Sequence, residues 1–352
     1  MIKPFNDSLK QDMMELWKDT FHDSDDYIRL VFDTYFNREN VHVRIEDDRL
    51  SAALLGIPYE FSMPQSCPVH PRLRGMYLCG LATRPEYRRR GIMSSLMLEA
   101  EQDAFQRGFD MTFLIPADSH LRDFYRRAGY LDLSFRKEVS TAGSDWCLGE
   151  APADGDGTSE DPLAIYSIRD LVMNGQSSFV LEIADWCRGI ESSNPFPTLL
   201  HSRTDMLAVM RENENSIFVT DSTFNLKKPI LAKVRAVLFP DSAPGENSRV
   251  RILKSYFRCE GIRKDGFPSY HHESGSGNEI PELVKNAVCR FYRQSDLSFM
   301  ISCPDVNQPA YPYANLQECG CRPYAMFKFL NRDRIMFSDF SLPVFDISLM
   351  LD

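Results

Sequence analysis

Apolar residues alternate between helical and extended spacings through the first third of the chain, a pattern that reads as α/β. Ile2 to Phe5 reads as a short strand, and Asp7 or Ser8 caps a helix that runs to Phe21. A second helix is predicted from Ser24 or Asp25 to Phe36, with Tyr27, Leu30, Val31 and Tyr35 along one side. Val41–Ile45 and Leu50–Phe61 flank the polar run Glu46-Asp47-Asp48-Arg49 and read as a hairpin. A loop holding Pro64, Pro68 and Pro71 leads to an apolar strand, Met76–Thr83. Ile92, Met93, Leu96, Met97, Ala100 and Ala104 then form one helical stripe, which Gly108 ends. Met111–Ile115 reads as a buried strand, followed by a short helix from Asp118 or Ser119 to Ala128. Gly129 stops that helix, and Tyr130–Val139 returns as a last strand.

From Ser140 to Asp161 the composition shifts to Gly, Ala, Asp, Ser and Pro, the signature of a linker or long solvated loop. Helices at Val180–Arg188 and Thr204–Arg211 follow, then strands at Ser216–Thr220, Ile230–Phe239 and Val250–Cys259. A helix at Pro281–Arg293, a strand at Leu297–Ser302, a segment at Ala314–Glu318 and a strand at Tyr324–Leu330 complete the order. This order repeats the grammar of the first part and predicts two units, 1–140 and 163–352, joined by 141–162. The tail from Ile335 to Asp352 is apolar enough to dock.

At 352 residues the chain has room for two domains. Lys plus Arg number 40 against 50 for Asp plus Glu, a net charge of −10 that argues against a general nucleic-acid role. No stretch approaches the length needed to span a bilayer, and Met1–Asp7 lacks the features of a signal peptide. Nine scattered cysteines, an odd number, predict a reduced, cytoplasmic setting. Cys319 and Cys321 have no second pair, and His271-His272-Glu273 are adjacent, so no metal site is expected. Gly275-Ser276-Gly277 reads as flexible connection.

One stretch changes the picture. Tyr87-Arg88-Arg89-Arg90-Gly91-Ile92-Met93-Ser94 joins the Met76–Thr83 strand to the following helix. A turn there leaves backbone N–H groups unpaired at the helix start, with the positive end of the helix dipole behind them. Arginines beside that opening suit a pyrophosphate; the bland alternative is a solvated Arg run.

Arg88, Gly91 and Met93 in this turn resemble motif A of the GCN5-related N-acetyltransferases, with Met93 in place of the usual small residue. The resemblance implies a mixed sheet with flanking helices and acetyl-CoA as cosubstrate. It places the cofactor against Leu81, Ala82 and Thr83 of the strand and against Arg88, Arg89, Arg90, Gly91, Ile92, Met93 and Ser94 of the turn. Asp118-Ser119-His120-Leu121-Arg122-Asp123-Phe124-Tyr125, followed by Gly129-Tyr130, resembles the family's later signature. It implies Tyr125 as the general acid that protonates the leaving thiolate and Ser119 as a further cofactor contact. Asp118 stands where the family often has Asn. A free thiol near ~8.5 and a phenol near ~10 make that proton transfer roughly balanced. Glu60 is the best-placed carboxylate for a base, its alternative being a surface-facing strand residue.

The Arg-Arg-Arg-Gly turn and the Phe124-Tyr125 segment together resemble, more narrowly, the tandem acetyltransferases of the enhanced-intracellular-survival type. That resemblance implies a second, degenerate acetyltransferase-like domain and a role at the site for the terminal carboxylate, here Asp352. The expected reaction is direct attack of a primary amine on the thioester. The acceptor is a small molecule or peptide, such as a polyamine, an aminoglycoside-like amine or a lysine-bearing peptide. A homo-oligomer is compatible with this, and nucleic-acid and membrane partners are not expected. The rival is a CoA-binding sensor or scaffold without chemistry.

Overall fold

The computed structural model describes residues 5–63, 71–142, 163–193, 197–213, 215–221, 234–240, 249–259, 272–274, 282–292, 298–304, 321–330, 345 and 347. The expected Ala314–Glu318 segment, the glycine run at 275–277 and the terminal Asp352 lie outside these residues, as do nearly all of the linker and of the Ile2–Phe5 strand.

Asn6 and Ser24 each accept a backbone N–H of a first turn, from Leu9 at 3.1 Å and Tyr27 at 3.2 Å. These caps start α1 (Asp7–Phe21) and α2 (Asp25–Tyr35). Leu9, Met13, Leu16 and Trp17 of α1 and Ile28, Val31, Phe32 and Tyr35 of α2 are buried. β1 (Val41–Glu46) and β2 (Arg49–Ser62) form the expected hairpin. Asp47 and Asp48 take φ of 50° and 60° between the paired Glu46 and Arg49, the geometry that matches the strands' twist. β3 (Arg72–Thr83) begins ahead of the apolar run because its first residues already pair with the end of β2, Arg72 facing Ser62. Then come α3 (Ile92–Gln106), β4 (Met111–Leu114) and α4 (Leu121–Arg127).

The single return strand expected over 130–139 is divided. β5 (Leu131–Asp132) and β6 (Phe135–Ala142) belong to different sheets. The backbone between them is occupied from elsewhere: the Leu133 and Ser134 carbonyls accept the N–H groups of Phe345 and Tyr324 at 2.7 and 2.8 Å. The ladder cannot run through, and the chain bends.

The remaining elements are β7 (Leu163–Ser167), α5 (Ile168–Met173), α6 (Ser177–Ser192), β8 (Thr198–Leu200) and α7 (Arg203–Glu212). After them come β9 (Ile217–Asp221), β10 (Val234–Pro240), β11 (Arg249–Cys259), β12 (His272–Ser274) and α8 (Glu282–Tyr292). β13 (Ser298–Pro304), β14 (Cys321–Pro323) and β15 (Met326–Phe329) close the order. The first sheet runs β1-β2-β3-β4-β15-β5, with β8 also pairing β2; β3–β4 is its parallel pair and its other ladders are antiparallel. The second runs β14-β6-β13-β11-β10-β9-β7, with β12 on β11. The architecture is the mixed α/β one expected, and the two sheets exchange strands. β15, far along the chain, fills the gap between β4 and β5, while β6 inserts between β13 and β14.

Apolar packing and one ionic clamp hold β15 in place. Phe327 stacks between Phe113 and Phe345, at centroid distances of 5.5 and 4.6 Å, and Phe61 meets Phe113 edge-on at 5.2 Å. All four rings are fully buried. Arg122 of α4 pairs with the buried Asp132 and donates to the Pro323 and Tyr324 carbonyls at 2.7 and 2.8 Å, just ahead of β15. Lys328 reaches the buried Glu101 of α3 at 2.6 Å. Phe327→Ala is therefore expected to cost ~3–5 kcal/mol of unfolding free energy. Phe291→Ala, at an exposed ring, should stay within ~0.5 kcal/mol. Urea denaturation of both variants checks this, and equal midpoints would show that β15 is dispensable to the first sheet.

Candidate active site

β3 and β4 pair only where Gly75, Met76 and Tyr77 face Met111, Thr112 and Phe113. Beyond Tyr77, β3 continues to Thr83 without that neighbour, and β4 ends at Leu114. The parallel strands part into a cleft at their C-terminal ends.

A bulge in β3 faces this cleft. Ala53 of β2 faces Ala82 and Leu55 faces Cys79, so Leu54 alone opposes both Gly80 and Leu81. The extra residue interrupts the ladder and re-aims the main chain. Gly80 takes φ of +61°, and a Cβ there would lie 2.1 Å from the Trp17 ring. The position excludes a side chain twice, by conformation and by space.

After a 3₁₀ turn at Pro85–Tyr87 the chain passes through positive φ at Arg89 (62°) and Gly91 (74°) into α3. No side chain caps α3, and Ser95 N–H makes its first helical bond, to the Gly91 carbonyl at 3.0 Å. A Cβ on Gly91 would meet nothing within 4 Å, so the approach to these amides is open. The arginines divide their work. Arg88 Nε donates to the Thr83 carbonyl at 2.9 Å, and Arg90 donates to the Glu86 carbonyl at 2.9 Å while lying 5.3 Å over the Tyr87 ring. Both brace the turn, while Arg89 is exposed beside it. Met93 and Ile92 pack their side chains, half-buried, against the core beneath α3, and Ser94 is exposed.

Across the cleft, Asp118 Oδ1 accepts the His120 N–H at 2.6 Å and steadies the start of α4, with Ser119 exposed beside it. Tyr125 of α4 is buried. Burial chiefly, then the Asp118 carboxylate, pushes its phenol up to about 12.

Tyr125 and the bulge residues Gly80 and Leu81 line one cavity of about 470 Å³. Its far wall is aromatic: Trp17, Phe21, Tyr27, Tyr35, Tyr59 and Tyr77. Asp23 is the one carboxylate among its described lining residues, and its Oδ2 accepts the Trp17 indole N–H at 2.7 Å.

Residues 1–131 match the acetyltransferase (GNAT) domain family. This first part of the chain is therefore similar to GNAT acetyltransferase domains. The chemistry of that family is acyl transfer, with acetyl-CoA as the donor. Solved structures similar to it include a probable N-acyltransferase from Enterococcus faecalis, at 14% identity and a TM-score of 0.57, covering 92% of this chain and 70% of that one. A GCN5-related N-acetyltransferase from Anabaena variabilis matches at 12% identity and a TM-score of 0.59, covering 94% and 72%. Eis1 from Mycobacterium abscessus matches at 11% and 0.54, covering 94% and 73%. These likenesses extend the shared fold well past the matched domain, into the second sheet. No protein of curated function matches the chain.

Within the matched region the structure brings Leu81 and Tyr125 to one cavity, with Ala82 and Thr83 following Leu81 along β3 and Arg88–Ser94 at the start of α3. It does not bring Glu60 there. Alternation along β2 turns Glu60 away from its neighbour Tyr59, into a second cavity of about 590 Å³, where it pairs with Arg72 at 2.7 Å. The aromatic wall was visible in sequence only as a helix stripe through Tyr27, Val31 and Tyr35. The bulge had one signal, a glycine inside a strand pattern. Gly80→Ala is expected to cost about 1–3 kcal/mol, because the added methyl must displace Trp17 and hold a disfavoured φ. Thermal unfolding measures this, and an unchanged midpoint would mean that α1 does not need its seat on the bulge.

Proposed function

We propose that the protein transfers the acetyl group of acetyl-CoA to a primary amine by direct attack, with Tyr125 as general acid. The observation that carries this reading is the shared cavity: a buried phenol and a strand bulge face each other across parted parallel strands. The edge of β3 over Leu81–Thr83 that faces away from β2 has no strand beside it among the described residues, which suits main-chain pairing with the amides of a pantetheine arm. The open amides from Gly91 to Ser94, backed by the helix dipole and with Arg89 at hand, suit the pyrophosphate. Ser119, exposed before α4, faces the solvent on the other side of the cleft.

The bond changes are few. The amine lone pair attacks the thioester carbon, a C–N bond forms and the C–S bond breaks. The departing sulfur takes the phenolic proton of Tyr125, and the nitrogen gives up a proton. Solution values make a phenol raised to about 12 a poor match for a thiolate. The same desolvation that raises Tyr125 also raises the proton affinity of a thiolate formed beside it, which restores the balance.

The cavity also bears on the acceptor. One carboxylate balances one ammonium, and a further desolvated, unpaired cation would cost several kcal/mol. The aromatic wall and the lone Asp23 therefore favour a single amine on an apolar or aromatic body over a polyamine or aminoglycoside-like polycation.

Tyr125→Phe should lower kcat by ~10²–10⁴ while leaving CoA affinity unchanged. Turnover is read as free thiol and affinity by calorimetry. Absent turnover in both proteins, despite tight binding, would favour the sensor reading. Tyr125 acts in its protonated form, which persists below its folded pKa of about 12. Wild-type kcat should therefore not fall as pH rises from about 8 to 10, where an ordinary tyrosine begins to ionise. An alkaline limb centred near 10 that Tyr125→Phe abolishes would contradict the assignment.

A further inference from the structure

The second cavity, of about 590 Å³, has no part in the transfer proposed above. Its wall is assembled from both halves of the chain: the β2–β3 end, α6 and the turn from β8 into α7. We infer that it binds a free amino acid as a zwitterion, the ammonium held inside by Asp205 and His201 and the carboxylate held at the mouth by Arg74.

Three arginines and three acids line this cavity, so the formal charges of the wall cancel. They do not all pair. Arg72 meets Glu60 at 2.7 Å. Asp185 is shared between Arg188 at 3.6 Å and Arg203, from outside the wall, at 3.0 Å. One charge of each sign is left. Among the described residues Arg74 makes no ion pair: its Nη1 donates to the Arg107 and Gly108 carbonyls at 2.9 and 3.3 Å, and its guanidinium lies 4.4 Å over the Phe109 ring. A guanidinium has further donors, in a fork that suits a carboxylate. Asp205 is the mirror case, with no cation partner among the described residues. Its Oδ1 accepts the Tyr35 hydroxyl at 2.7 Å and its Oδ2 the Ser202 N–H at 2.8 Å, both neutral donors. A carboxylate accepts about four bonds, so capacity remains on each oxygen.

His201 adds an acceptor to the negative end. α6 holds it at three points: its N–H and Nδ1 lie 2.9 and 2.7 Å from the Glu191 carboxylate, and its carbonyl accepts Arg188 Nε at 2.8 Å. A carboxylate accepts, so Nδ1 carries the ring hydrogen, and Nε2 of the neutral imidazole is an acceptor. That Nε2 is buried and has no partner among the described residues. An acceptor left so is costly unless a ligand supplies the donor.

These groups select the ligand by complement. A plain anion would answer Arg74 and leave Asp205 alone, and a plain amine would do the reverse. A zwitterion answers both and keeps the site neutral. Asp205 and His201 are buried whereas Arg74 is exposed, which sets the ammonium inward. An ammonium carries three donors, enough for Asp205 and Nε2 together. Gly189 keeps space for the ligand. It sits inside α6, where glycine is a poor helix former, and a Cβ there would meet nothing within 4 Å. No neighbour demands its smallness, and its effect is a lower wall.

Calorimetry on the full chain tests this with L-alanine, γ-aminobutyrate and 5-aminovalerate, whose charges lie progressively further apart. At least one should bind saturably, and its parent amine and parent carboxylate should each bind at least about tenfold more weakly. Arg74→Gln should reduce the amino acid to the affinity of its amine, and Gly189→Leu should abolish binding by filling the cavity. Acetyl-CoA affinity should be unchanged in both variants. Should Gly189→Leu fail to fold, Arg74→Gln, at an exposed position, carries the test. Saturable binding by none of the three, or equal binding of the amine alone, overturns the site. An affinity that both variants leave intact also overturns it and places the amino acid beside Tyr125 instead. A protein that shows the expected pattern but acetylates no amine loses the transfer reaction and keeps this site.

Discussion

The site depends on one interruption: hydrogen bonding between β3 and β4 ends after Tyr77 and Phe113. Two forces hold the strands apart. On one side, the Gly80–Leu81 bulge bends β3 and seats Trp17 against it. On the other, β15 pairs β4 along its whole length, Phe329 to Met111 through Met326 to Leu114, and fixes where β4 lies. Main-chain groups that a continuous sheet would consume are thereby left at a cleft wall. Unpaired backbone of this kind is costly to bury, so it persists only where a ligand or water meets it.

The element that sets the cleft from the β4 side comes from the far end of the described chain, which links the cleft to the second half. Phe327 is wedged between rings from β4 and from residue 345, Arg122 clamps the approach to β15, and Lys328 crosses to Glu101 on α3. In return β6 is paired on both sides by strands of the second half. Separating the halves would strip both sheets of an interior strand. Shared strands of this kind make the two sheets a cooperative unit, and the pairing of β8 with β2 adds a further contact beside the second cavity.

What could be read from sequence followed the range of the interactions involved. Although the first helix is capped by Asn6 and not by Asp7 or Ser8, the helix cap at Ser24, the Asp47-Asp48 turn and the stripe of α3 depend on neighbours within a few residues, and they were legible. So was the basic turn, although its arginines proved to differ in role, Arg88 and Arg90 bracing the loop that Arg89 leaves exposed. The break at Leu133-Ser134 was not legible, because its cause is hydrogen bonding to Tyr324 and Phe345. Local propensity favoured one strand there, and tertiary pairing overrode it. Glu60 shows the limit for sites: its spacing from the motifs was suitable, but strand alternation points it away.

Charge illustrates the same limit on a larger scale. A net charge of −10 invites a polycationic acceptor, yet Asp23 is the one carboxylate among the described lining residues of the cavity beside Tyr125. Total charge acts at the long range of encounter and is screened within about 10 Å at ordinary ionic strength. Selection inside a desolvated cavity is decided by contact. There a cation over an aromatic face gains ~0.5–2 kcal/mol, and an unpaired second ammonium loses more than that. Under the proposed reaction, then, the surface governs how readily a cationic acceptor arrives, while Trp17, Tyr27, Tyr59, Tyr77 and a single carboxylate govern which acceptor can stay.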